Sequence, residues 1–127
     1  MLGEVIRLRA MTDVEIIRLD ELPPSNIARE FVGADHGGVG ICAIFVEAPP
    51  GAGPSLHRHP YPEVIVTQEG TATFLLGEDG EQREVGAGEM VVIPAGQWHA
   101  FVNSGDAPLR QVDIHVSASF DTEWLVQ

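Results

Sequence analysis

From residue 40 onward, Gly and Pro cut the chain into short apolar runs at 41–48, 63–68, 71–76, 81–85, 90–93, 98–102 and 109–116. None has the length of an ordinary helix, and most are rich in β-branched or aromatic residues, so each reads as a strand. Strands this close together leave no room for helical crossovers, which excludes a parallel α/β sheet and predicts an antiparallel sandwich or small barrel. Fourteen Gly and nine Pro in 127 residues supply the turns, and a hydrophobic content of 44% supplies a core. That length suits one all-β domain. Gly77-Glu78-Asp79-Gly80 reads as a hairpin turn with an acidic tip that lacks the spacing of a calcium loop.

The ends are less regular. Residues 1–35 read as peripheral structure, with strand composition at 14–19, a candidate arm for pairing with a second copy. The barrel is expected over 36–118, followed by a short segment at 119–127. Within that segment, 120–126 is the one helical candidate, and Trp124 is expected to cover an end of the barrel. A net charge of −12, with seven Arg and no Lys, argues against nucleic-acid and membrane-surface partners, whose affinity comes from clustered cations. The lack of Lys also excludes Schiff-base chemistry. Cys42 is the lone cysteine and lies in an apolar run, where an inert buried thiol is expected. With neither a leader-like apolar region after Met1 nor an apolar stretch of membrane-spanning length, a cytoplasmic protein is expected.

Chemistry concentrates in the histidines. In an extended segment, residues two apart share a face, so His57 and His59 project together, with Glu63 four residues on. Two imidazoles and a carboxylate suit a divalent transition metal, but alone they fit a polar loop equally well. Pro94-Ala95-Gly96-Gln97-Trp98-His99 then sets a turn before a strand opening on His99, which reaches the first cluster only if two hairpins face each other across a barrel.

These residues stand in two blocks, Gly51, His57, His59, Glu63 and Gly70, then Gly88, Pro94, Gly96, His99 and Asn103, separated by the short stretch 71–87. Both blocks resemble the two motifs of the cupin superfamily, with no motif position missing. The resemblance implies a double-stranded β-helix, or jelly-roll barrel, and a single metal held by His57, His59, Glu63 and His99. Three imidazoles and one carboxylate suit Fe(II), Mn(II), Ni(II), Cu(II) or Zn(II), and on a six-coordinate ion they leave two positions open.

Alternation places Ile65 and Phe101 beside such a metal as an apolar wall. The last strand has an apolar face (Val112, Ile114, Val116) and a polar one (Gln111, Asp113, His115). Either the apolar face packs in the core, or it is covered from outside while Gln111 and His115 line the cavity. His115, with its near-neutral pKa, is then a candidate general base, and Gln111 a candidate for orienting substrate. Tyr61 and Trp98 are candidates for shaping the barrel mouth, and His36 is expected to be solvated. The resemblance implies a metal-dependent enzyme acting on a small organic molecule, with dioxygenase-type chemistry leading. An isomerase or lyase, and a non-catalytic small-ligand or sugar-binding module, are the alternatives. A homodimer is expected, with Val64 and Val66 facing outward to supply apolar contact area.

Overall fold

The computed structural model describes residues 13–126. Two antiparallel sheets face each other. One runs β1 (Pro24–Ser25), β2 (Ala28–Val32), β3 (Cys42–Ala48), β10 (Leu109–His115), β5 (Glu63–Glu69), β8 (Met90–Ile93). The other runs β11 (Glu123–Trp124), β4 (His57–Arg58), β9 (His99–Asn103), β6 (Thr71–Leu76), β7 (Glu81–Gly86). This is the expected jelly-roll barrel, and from β3 to β10 the strands other than the two-residue β4 fall within a residue or two of the runs marked by Gly and Pro. Two short 3₁₀ turns, Leu19–Glu21 and Gly33–Asp35, are the helical elements among the described residues.

The inner faces divide into two zones. Val46, Ala48, Ile65, Ala72, Phe74, Val85, Ile93, Phe101 and Leu109 pack as one apolar core, with the Phe74 and Phe101 rings 5.7 Å apart. The polar residues of the inner faces gather at the other end. Gly96, at φ +80°, makes the turn before β9, and its N–H bonds the His59 carbonyl at 2.7 Å. A side chain is strained at that φ, so glycine here ties the second motif to the first. Asn103 pins the opposite end of β9, donating from Nδ2 to the Ala48 and Ala107 carbonyls.

Two expectations are corrected, and one pair of alternatives is decided. Residues 14–19 form no strand: 14–18 lie outside regular structure, with Val14 and Ile16 almost fully exposed, and Leu19 opens a 3₁₀ turn. The N-terminal edge is made instead by β1 and β2, with β2 pairing β3. Burial against β3 outweighs the strand propensity of 14–19, which has no such partner among the described residues. Residues 120–126 are not helical; β11 pairs with β4 instead, Trp124 opposite His57. On β10 the polar face points inward: Gln111, Asp113 and His115 are buried, while Val112 and Ile114 are half-buried on the outside. The outer row stays apolar because it meets Val66 and Val64 of β5 there.

Candidate metal centre

Strand pairing brings the site together. His57 and His99 are cross-strand partners on β4 and β9, their ring centroids 4.3 Å apart. On the facing sheet, Glu63 of β5 is the partner of His115 on β10. His59, just past β4, stands between the two pairs, 5.0 Å from His57 and 4.5 Å from His115 between centroids. His57, His59, Glu63 and His99 are all buried, and one ligand atom from each lies within 4.8 Å of the others. Ligands on one ion at about 2.1 Å span at most about 4.2 Å, so small rotations close the set.

The backbone decides which nitrogen each ring offers. Nδ1 of His57 donates to the Ser55 carbonyl at 2.8 Å, that of His59 to the Asp121 carbonyl at 2.9 Å, and that of His99 to the Gln97 carbonyl at 2.8 Å. A carbonyl only accepts, so each Nδ1 carries a proton, and with a metal bound each Nε2 would offer its lone pair as a ligand. His99 Nε2 lies 2.9 Å from Glu63 Oε1, and His59 Nε2 is buried without a hydrogen-bond partner. Three lone pairs aimed at one carboxylate satisfy the requirements of a divalent cation, and the four residues fit a single such ion.

His115 is held differently. Its Nδ1 accepts from the Tyr61 hydroxyl at 2.8 Å, which leaves the proton on Nε2, 3.1 Å from Glu63 Oε2 but poorly aligned for a hydrogen bond. Electrostatics follow the packing. Burial, reinforced by His99 and His59, lowers His57 to about 4, so it is neutral at pH 7. Burial opposes the Glu63 anion, yet His115, His59 and His99 together hold it well below the usual carboxylate range. For His59 burial is likewise outweighed, here by Glu63 and the Asp121 carbonyl, and the net shift is upward. Burial raises Tyr61 to about 12, so its hydroxyl keeps its proton.

A cavity of about 450 Å³ opens onto the four residues. Its wall includes the expected Ile65, Phe101 and His115, and also Asp113, which the sequence reading did not single out as a candidate. Gln111 is buried beneath, donating from Nε2 to Asp113 Oδ1 at 3.1 Å. Tyr61 sits behind the imidazoles, while Trp98 carries the Arg58 guanidinium 4.4 Å above its ring. The aromatic rings on the cavity wall besides Phe101 are Phe120 and Trp124. His36 lies far from the cluster in the fold, stacked on Phe31 and bonded to Glu15. The alternation of β10 was the available signal for Asp113, since any reading that turns His115 and Gln111 inward turns Asp113 inward too.

The C-terminal segment is part of the centre. Asp121 supplies the carbonyl that fixes His59, and its N–H donates to the Tyr61 hydroxyl at 3.3 Å. Phe120 meets His115 edge-on, and Trp124 lies 4.9 Å from His57 between centroids. Truncation after Ser119 is therefore expected to weaken metal binding about 10- to 100-fold, the range for losing a partner that orients a ligand, while the barrel core persists. Isothermal titration with a divalent metal, alongside far-UV circular dichroism, checks it. Unchanged affinity would refute the role.

Two facing antiparallel sheets with three inward imidazoles and a carboxylate at one end define a metal-binding double-stranded β-helix. The chain belongs to the cupin family: the family's cupin-domain model matches residues 44–115. No curated protein matches significantly. Among solved structures, an uncharacterized conserved protein with a double-stranded β-helix domain from Klebsiella pneumoniae is 23% identical, with a TM-score of 0.69, over 91% of this chain and all of that one. An oxalate oxidase is 21% identical, with a TM-score of 0.72, over 87% of this chain and 63% of that one. An oxalate decarboxylase from Bacillus subtilis with Mn(II) centres is 25% identical, with a TM-score of 0.71, over 84% of this chain. This chain spans 30% of that enzyme's length.

Proposed function

We propose that this cupin is a cytoplasmic metal-dependent enzyme acting on a small organic molecule, with oxygen-dependent cleavage as the leading reaction. The observation that carries the reading is the fixed tautomer of all three imidazoles, which aims their Nε2 atoms at ionised Glu63 at the foot of a 450 Å³ cavity. The bound ion would supply Lewis acidity, and with Fe or Mn also redox chemistry, at its open positions. The chain's own residues supply the rest. His115, braced by Tyr61, positions the second oxygen of Glu63; Phe120 and Trp124 restrict water at the cavity wall. Gln111 holds Asp113 in place. An isomerase or lyase working without dioxygen is the second reading, favoured by the buried carboxyl group of Asp113 on the cavity wall, a proton carrier beside the substrate space.

Elemental analysis of protein purified without added metal, then substrate screening in air and under nitrogen with that metal restored, tests this. Turnover that consumes oxygen supports the leading reading, and equal turnover under nitrogen supports the second. Saturable ligand binding with no turnover under either condition overturns both in favour of a binding module.

The same reading includes a homodimer. On the outer face of the larger sheet, Val64, Val66, Val112 and Ile114 form one apolar surface that continues into Met90 and Val92, 60% and 66% exposed. A two-fold axis through such a surface lets one patch cover its own copy. Light scattering at micromolar concentration is expected to give twice the chain mass, and Val92→Asp is expected to give the chain mass. A monomeric wild type refutes the assembly.

A further inference from the structure

The cavity that opens on the metal cluster is unusual in its charge. Besides Glu63, two other carboxylates line it, Asp113 and Glu30, and among the described residues neither Arg nor Lys does. Of the seven Arg, those at 18, 29, 58, 83 and 110 lie elsewhere, several of them paired: Arg58 with Glu123, Arg83 with Glu81, and Arg110 with Glu47 and Glu69. Much of the remaining wall is aliphatic or aromatic, including Ile27, Ile44, Val46, Ile65 and Phe101. An anionic substrate needs a cation for each charge that it buries beyond what the metal balances. Three neutral imidazoles and one carboxylate leave a divalent ion one net positive charge, and a dicarboxylate exceeds it.

Asp113 adds a direction. It is buried, neither Arg nor Lys among the described residues lines the cavity beside it, and Gln111 Nε2 occupies Oδ1, while Oδ2 takes no hydrogen bond from any described residue. Burial, reinforced by the Glu63 charge, pushes its carboxyl well above the usual range, which favours the protonated, hydrogen-donating form. A neutral carboxyl on an apolar wall offers one O–H to an oxygen atom of whatever fills the space.

We infer that the cavity is built for an uncharged, oxygen-bearing molecule with an apolar body, such as a ketone or diketone, which Asp113 orients through a hydrogen bond, and that it discriminates against dicarboxylates. This rests on the metal-dependent reading above and specifies its substrate class. It separates this chain from the oxalate enzymes whose fold it shares.

The test uses the full chain loaded with Mn(II), with oxalate and 1-phenylpropane-1,2-dione as probes; both present adjacent oxygens, and only the first is charged. Calorimetric titration is expected to show saturable binding of the dione. Oxalate is expected to bind the loaded protein at least about tenfold more weakly than it binds the free ion, because Glu63 leaves the ion one net positive charge and Glu30 adds repulsion at the wall. Asp113→Ala is expected to weaken dione binding about tenfold, the loss of one hydrogen bond, whereas Asp113→Asn, which keeps an N–H donor, stays within about threefold of wild type. An infrared band of a protonated carboxyl, present in wild type and absent from Asp113→Asn, is the readout independent of binding. Oxalate binding more tightly to the protein than to the free ion overturns the substrate class and leaves the metal centre standing. Equal losses in the Asn and Ala variants overturn the role of Asp113. Failure to take up Mn(II), or to bind either probe, overturns the underlying reading as well.

Discussion

Replacing His57 or His99 by Ala is expected to raise the dissociation constant for a divalent metal by at least about 10²-fold. Four-ligand protein sites bind with roughly 10 kcal/mol or more, so each ligand contributes about 3 kcal/mol if the share is even, and every 1.4 kcal/mol is a factor of ten. His36→Ala is expected to leave affinity unchanged, since that ring meets Phe31 and Glu15 on another part of the surface. His115 lies between these extremes. It touches Glu63 Oε2 rather than the space between the three Nε2 atoms, so His115→Phe is expected to cost about 10- to 100-fold, and His115→Gln, which restores a donor, to recover most of it. Elemental analysis after dialysis and competitive chelator titration separate the three classes. Full occupancy in the His57 and His99 variants would sink the assignment.

How much of this centre was legible beforehand depends on which physical constraint acts at each residue. Spacing carried the ligands, because two extended residues two apart share a face and Gly96 must make its turn whatever the rest of the chain does. The β3 to β10 strands were legible for a related reason: turns need Gly and Pro, and those residues mark the strand ends directly. Alternation on β10 was also visible, but it is symmetric. It says that Gln111, Asp113 and His115 share a face and nothing about which face is inside, and ordinary burial favours the apolar one. The reversal needs two facts that are tertiary: a polar cavity at one end of the barrel, and an outer apolar row shared with Val64 and Val66.

The two chain ends show the opposite failure. At 14–19 strand composition exists without a partner among the described residues, whereas β2, Ala-Arg-Glu-Phe-Val, has no two-residue alternation and is half-buried at every position. Its place is decided by the open edge of β3. The same holds for Asp121, which is exposed and unremarkable in the sequence, yet contributes a carbonyl that fixes the His59 tautomer. Main-chain atoms carry no residue signature, so a backbone contribution to the site stays invisible until the chain is folded.

Replacing the titratable Asp113 carboxyl by an amide is expected to make the stability of the metal-free protein more acid-sensitive. Two buried groups in this centre bind protons with opposite linkage. His57 titrates near 4 in the folded chain and near 6.5 in the unfolded one, so between those values the unfolded chain holds a proton that the folded chain lacks. Its contribution to stability therefore falls as pH falls through that window, by about 3 kcal/mol once both limits are passed. Asp113 runs the other way. Its folded pKa is raised by burial and by Glu63, so above the ordinary carboxylate value the folded chain keeps a proton that the unfolded chain has released, and stability rises as pH falls. The two oppose each other in wild type. Glu63, held low by its histidines, adds acid sensitivity only below its ordinary value of 4.5, and His59, raised, acts only above 6.5. Asp113→Asn removes the rising half alone. Urea unfolding of the metal-free protein at pH 4, 5.5 and 7 is expected to give a shallow profile for wild type. For Asp113→Asn the loss toward pH 4 should be steeper than in wild type, and in a His57→Gln, Asp113→Asn double variant the His57 part of that slope should disappear. A constant amide-for-acid offset shifts all three pH points together and leaves the slope untouched. Parallel profiles for wild type and Asp113→Asn would show that the carboxyl is ionised in the folded chain, and with that the uncharged donor on the cavity wall would be lost.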